Sequence, residues 1–184
     1  MHRPIASEAG HADFAPRNEI EIDLLRALLD EFPRVSYERV LSGEGIYRLY
    51  TFVRRRLGRG EPSWVTEAAR RQSAPAAISA AALDGRDDTA VAALRLFVSV
   101  LGAEAGNLAL RMMALGGIYL CGGIAPKILP VLQSGEFMRA FVRKGRLQSM
   151  LESIPVWVIR NDRTALLGAA RYATTRSNAE MTLS

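Results

Sequence analysis

Two carboxylates and one imidazole carry most of the chemistry this sequence offers. Glu8 and His11 stand three apart across Ala9-Gly10, and Asp13 follows two residues later. A carboxylate accepts hydrogen bonds from hydroxyls, and a neutral imidazole both donates and accepts, so a tight turn presenting the pair suits a polyol ligand. On the residues alone, an exposed loop bearing an acid and a histidine is the simpler reading. A metal site is a poorer one, because His2 is terminal and no second close His or Cys completes a ligand set. Glu38 lies in Ser36-Tyr37-Glu38-Arg39-Val40-Leu41-Ser42-Gly43, an otherwise apolar short segment. Burying its charge without a partner is costly, so it meets either a cation of the Arg39 type, which the spacing favours, or a polar ligand.

A third feature is the stretch Gly116 to Ile124, read as a buried strand closed by the paired glycines Gly122 and Gly123. Such an end lets backbone approach a flat or anionic ligand, and a following helix presents free N–H groups. A turn that simply needs positive φ explains the same residues equally well. Neither a phosphate-loop lysine motif nor a dinucleotide fingerprint occurs in the sequence.

The elements that position these groups are legible from apolar spacing. Pro4 to Pro16 reads as a strand end running into a loop. A helix is predicted after Asn18, with Ile20, Leu24, Leu25, Leu28 and Leu29 at steps of three and four, Glu19 and Glu21 at its positive end, and Pro33 as its stop. Val35 to Leu41 is a brief β-prone piece, and Gly43 and Gly45 lead into a helix through Ile46, Tyr47, Leu49, Tyr50, Phe52 and Val53. Weaker helices are predicted within Ser63 to Gln72 and Ala74 to Leu83. The strongest periodicity runs from about Asp87 to Ala114, where Leu94, Val98, Leu101, Ala105, Leu108 and Met112 mark a central buried helix of about 40 Å. Gly116 and Gly117 should end it. Two buried strands, Ile118 to Cys121 and Pro155 to Ile159, alternate with a helix beginning near Pro126 and a last helix containing Leu166, Leu167 and Tyr172. That rhythm is α/β, and the tail over residues 173–184 reads as frayed.

The 184 residues suffice for one domain with a sizeable core, and 49% hydrophobic with 23% charged residues is ordinary for a globular protein. The net charge of +5 is scattered except for Arg54, Arg55, Arg56 and Arg59, which lack interleaved aromatics, so no nucleic-acid partner is expected. Cys121 is the lone cysteine, which excludes an intrachain disulfide and suits a reducing cytoplasm. No secretory signal is read at the start, and Arg95, Glu104, Asn107 and Arg111 interrupt the longest apolar run, so no membrane span is expected.

Taken together, these pieces resemble the bacterial glucokinase family of actin-like sugar kinases. Ser7-Glu8-Ala9-Gly10-His11-Ala12-Asp13-Phe14-Ala15-Pro16 is similar to that family's E-G-G-H-x-D-F-A-P loop, with Ala9 replacing a glycine. Tyr37 to Gly45 resembles its E-R-V-L-S-G-x-G segment, and Gly106 to Leu110, Gly116 to Pro126, Phe141 to Gly145 and Leu166 to Ala169 fall in the family's order. The resemblance implies a helix-rich, partial α/β fold, the C-terminal lobe of an actin-like (ribonuclease H-like) sugar kinase, over residues 1–184. It implies that Glu8, His11 and Glu38 hold glucose hydroxyls, that Gly122 and Gly123 belong to an adenosine motif, and that ATP with Mg²⁺ phosphorylates the 6-hydroxyl of glucose. The family's Asp-x-Gly-Gly-Thr phosphate loop, its Asn-Asp pair with the aspartate base, and its second phosphate loop do not occur in these residues. The expectation is therefore an N-terminal lobe absent from this chain, no catalytic residue within it, and negligible kinase activity alone. Its partner would be a separately encoded N-terminal lobe or a second copy in a homodimer; the alternative is a non-catalytic sugar-binding or dimerising remnant.

Overall fold

The computed structural model describes residues 5–161 and 163–181, with side chains described to residue 174. The expectation for residues 173–184 falls mostly outside the described side chains. A 3₁₀ turn at Ala9–His11 precedes α1 (Glu19–Leu29), α2 (Tyr37–Val40), α3 (Gly43–Arg56), α4 (Ser63–Arg70), α5 (Ala74–Leu83) and α6 (Asp88–Met112). Then come β1 (Ile118–Leu120), α7 (Leu129–Leu132), α8 (Glu136–Val142), a second 3₁₀ turn at Gly145–Leu147, α9 (Gln148–Glu152), β2 (Val156–Val158) and α10 (Thr164–Met181).

Local chemistry starts the long helices where the sequence places them. The Asn18 side chain accepts from the backbone N–H of Glu21 at α1, and Asp87 accepts from that of Ala90 at α6, each satisfying a donor that the first turn leaves free. α6 forms the centre of the core. Ala90, Ala93, Leu94, Phe97 and Val98 are fully or almost fully buried on it, packed among Leu49 and Tyr50 of α3, Ile78 of α5 and Phe137 and Phe141 of α8. By length and composition α6 would also cross a bilayer, but 67% of that window is buried inside the protein, as befits a core helix.

Its contact with α8 is close because two glycines make it so. A Cβ on Gly102 would lie 2.2 Å from the Phe137 carbonyl oxygen, and one on Gly106 would lie 2.5 Å from that of Phe141. Backbone therefore meets backbone along this seam, and Phe137 stacks on Phe141 with ring centroids 6.0 Å apart.

Several expectations need correction. The β-prone piece Val35 to Leu41 pairs only through a single antiparallel bridge, Asp13 to Ser36, before turning into α2. Ser36 still has extended backbone, but Arg39 and Leu41 donate back to the Ser36 and Tyr37 carbonyls and close a helical turn. The glycines do not end α6. Met113 takes the left-handed conformation at φ 47°, where glycine is usual, and Ala114 N–H returns to the Ala109 carbonyl. Leu108 and Met112, read as core, are exposed, and Leu108 lines an open recess beside β1.

The strands are shorter and less buried than predicted. Ile118 to Leu120 pairs in parallel with Val156 to Val158, and each strand has a covered and an open face. Tyr119 and Trp157, opposite each other in register, stack on the open face with centroids 4.7 Å apart. Gly117, at φ 123°, admits the Trp157 ring where a Cβ would sit 2.1 Å from it. Cys121 lies beyond the strand and is exposed. Residues 125–128 form turns, so the helix expected near Pro126 begins only at Leu129.

Tyr50 gives this core a pH signature. Burial, reinforced by the Asp87 carboxylate, pushes its phenol up to about 12. The unfolded chain loses that proton near 10, whereas the folded chain holds it until about 12, so this contribution to stability is full below pH 10 and drains away above it. Urea midpoints measured at pH 9 and 11 are expected to fall more for wild type than for Tyr50→Phe.

Candidate functional site

The turn that begins at Glu8 is built by its own backbone. His11 N–H donates to the Glu8 carbonyl at 2.9 Å, and Ala12 N–H to that of Ala9 at 3.0 Å. The turn is then tied to the segment entering α2 from both sides. Phe14 N–H reaches the Val35 carbonyl (2.9 Å) and Tyr37 N–H reaches the Ala12 carbonyl (3.0 Å). Phe14 and Tyr37, both buried, pack edge to face at 5.7 Å. Arg34 clamps the outside, donating to the His11 carbonyl at 2.6 Å and to Asp13 Oδ1 at 2.7 Å.

This register carries Glu38 to the turn. Its carboxylate Oε2 lies 3.5 Å from His11 Nε2, with both side chains more than half exposed. Glu8, His11 and Glu38 line one recess of about 400 Å³. Its wall is completed by Tyr37 of α2 and Leu41 just after it, by Leu101, Glu104, Ala105 and Leu108 of α6, and by Ile118 to Leu120 of β1. Among the described residues, the ion pair predicted between Glu38 and an Arg39-type cation does not form, and Glu38 faces His11. Arg39 instead lies over the Phe32 ring, 4.2 Å from its centroid, which turns it away from the recess.

The glycine that ends the Tyr37 to Gly45 segment serves packing. Ser42 caps α3 by accepting from Gly45 N–H at 3.0 Å, and a Cβ on Gly45 would lie 2.1 Å from the Val40 carbonyl oxygen. α2, which bears Glu38, is thereby seated directly on the first turn of α3.

Behind the recess lies a polar group that spacing did not single out. Glu104 accepts from Asn107 Nδ2 (2.7 Å) and from Arg111 (3.2 Å), and Asn107 also approaches the Tyr37 hydroxyl at 3.4 Å. Burial raises the Tyr37 phenol, and the neighbouring Glu104 carboxylate adds to the shift, so the hydroxyl stays protonated at neutral pH. Only the polar interruption of α6 hinted at these residues.

Gly122 and Gly123 stand apart from the recess. Both are exposed beyond β1, Gly122 at φ 97°, and a Cβ on either would meet nothing within 4 Å. The backbone there is open to approach, but the following helix starts only at Leu129 and has four residues.

The architecture defines the class: a helix-rich α/β sugar-kinase lobe carrying a small parallel sheet. It superimposes on the crystal structure of glucokinase from an Antarctic psychrotroph with a TM-score of 0.76 at 33% identity, over 90% of this chain and 49% of that one. A glucokinase from Balamuthia mandrillaris, solved in complex with glucose, shares the fold at TM-score 0.69 and 18% identity, over 84% of this chain and 42% of its own. The Glucokinase family model matches residues 1–176, and the chain belongs to that family. Among curated relatives, the glucokinase of Nostoc punctiforme is 48% identical over 180 residues, 91% of this chain and 53% of its own length. That of Synechocystis sp. is 44% identical over 182 residues, 92% and 51% respectively. The chain spans about half the length of the curated relatives it matches.

Proposed function

We propose that this chain supplies the sugar-binding recess of an ATP-dependent glucokinase, with Glu8, His11 and Glu38 holding glucose through its hydroxyls. The observation that carries the reading is the convergence of those three side chains, 30 residues apart at the extremes, on one cavity. Two carboxylates supply acceptors and the imidazole a donor or acceptor, a set that matches a ring of hydroxyls, while Leu41, Leu108 and Ile118 offer the apolar surface a sugar's C–H face needs. Family membership supports glucose among polyols of similar size.

In this reading the reaction is transfer of the γ-phosphoryl group of ATP to the 6-hydroxyl of glucose in a cytoplasmic enzyme. The open backbone at Gly122 and Gly123 is where an adenosine moiety would rest. Among the described residues no group of three or more His, Cys, Asp or Glu forms a cation site, so Mg²⁺ would arrive on the nucleotide phosphates and neutralise charge there. The aspartate base and both phosphate loops of the family pattern have no counterpart in these 184 residues. The chain on its own would therefore bind sugar without turning it over, and a second segment bearing those groups would complete the site.

Calorimetric titration of glucose tests the reading. Wild type is expected to give a saturable heat, and Glu8→Ala to weaken binding about 10- to 100-fold, the effect of losing one or two hydrogen bonds to a charged acceptor. Equal affinity in the two proteins, or no binding by wild type, would reject the assignment.

A further inference from the structure

We infer that Lys144 is a positioning residue for the recess, acting through the orientation of the Asn107 side-chain amide. The inference rests on the glucose reading of that cavity. Lys144 follows α8 and does not line the recess, yet its ammonium donates to the Ala103 carbonyl at 2.9 Å and to Asn107 Oδ1 at 2.5 Å. It reaches them because Gly106 leaves room: a Cβ there would stand 2.8 Å from Lys144 Cε.

An ammonium has three donors and no acceptor. Facing it, Asn107 must present Oδ1, which obliges Nδ2 to point the other way, toward Glu104 Oε2 at 2.7 Å and the Tyr37 hydroxyl at 3.4 Å. Glu104 and Tyr37 are both part of the recess wall. If Lys144 were apolar, Oδ1 would lose its donor and the amide would be held from one side only, by Glu104 and Tyr37. Asn107 could then tilt, and Glu104, which shares the recess wall with Glu8 and Glu38, would lose its fixed place between Asn107 and Arg111. The sugar would face a mobile carboxylate where it now meets a fixed one.

The half-buried ammonium is held at a cost. Burial pushes the Lys144 pKa down, the Arg17 and Arg111 charges push the same way, and only Glu104 opposes them. A side chain needed merely to fill space would not require that charge.

Glucose titration of three variants tests the relay. Lys144→Met is expected to bind about tenfold more weakly than wild type, and Lys144→Arg, which again presents only donors, to recover to within about threefold. Asn107→Asp keeps the bonds to Lys144 but replaces the donor facing Glu104 with an acceptor, and is expected to lose about as much affinity as Lys144→Met. Because this second variant leaves Lys144 in place, it decides the matter should Lys144→Met fail to fold. Folded Lys144→Met or Asn107→Asp binding as tightly as wild type would overturn the relay while leaving the glucose assignment intact. Failure of wild type to bind would overturn both.

Discussion

Arg17→Ala is expected to cost about 3–5 kcal/mol of folding stability, the range measured when one partner of a buried ion pair is removed. Glu21 is fully buried in the first turn of α1. Its carboxylate accepts from the Arg17 backbone N–H at 2.8 Å and from Arg17 Nε at 3.0 Å, and a further Arg17 nitrogen closes on Oε1. The same guanidinium reaches across to Ser99 Oγ on α6 at 3.1 Å. Deleting it leaves a charge in the interior without its counter-ion, met only by the residue-17 backbone N–H and the Asn18 amide. Against a typical total stability of roughly 5–15 kcal/mol, this is a large fraction of the folding free energy. The double variant Arg17→Met with Glu21→Met tests the cause, since replacing both members with apolar groups is often neutral. Urea midpoints are expected to drop sharply for the single variant and to recover most of the way in the double; equal losses would point to packing instead of an orphaned charge.

Gly45→Ala is expected to destabilise the chain by about 1–3 kcal/mol and to weaken glucose binding together with it. Helix propensity alone predicts the opposite sign, because alanine is better than glycine in a helix by up to about 1 kcal/mol. The steric term should win: the atom in the way is the Val40 carbonyl oxygen, 2.1 Å from the added Cβ, with the carbonyl carbon at 2.4 Å. Backbone cannot rotate aside as a side-chain tip can, so α2 must move, and Glu38 with it. Thermal melting combined with glucose titration reads both effects. A variant as stable as wild type with unchanged affinity would show that α2 does not depend on this seat.

How far the sequence disclosed these features depended on whether the signal was local. α6 was legible because its apolar stripe lies within the element and a capping aspartate stands immediately before it, and α5 spans the Ala74 to Leu83 predicted for it, with Pro75 in its first turn. The burial of Glu21 was not. An acidic residue in a first turn reads as a partner for the helix dipole, and only the register with Arg17 four residues earlier hinted at an internal pair. Tyr119 and Trp157 read as buried because aromatic strands usually are, whereas here the two-stranded sheet is covered on one face. Met113 adopts a conformation that residue type argues against.

The site shows the same division. Glu8 and His11 share one turn, so their pairing was visible from spacing. Glu38 reaches them only through the Asp13 to Ser36 bridge, a long-range register that residues 8 to 38 do not advertise; the resemblance to a family motif supplied it. Glu104, Asn107 and Lys144 come from α6 and the segment after α8, and the glycine seam that joins those elements becomes apparent only once Gly102 and Gly106 are seen against carbonyls.

Glucose bound as proposed meets His11 and Glu38 together. With two histidines in the sequence, the His11 imidazole resonances are assignable by comparison with His11→Gln, and they can be followed by ¹H–¹⁵N NMR as glucose is added. A saturable shift at His11, abolished in Glu38→Gln, is the result predicted here. A glucose titration that leaves His11 unmoved while shifting residues outside this recess would contradict it.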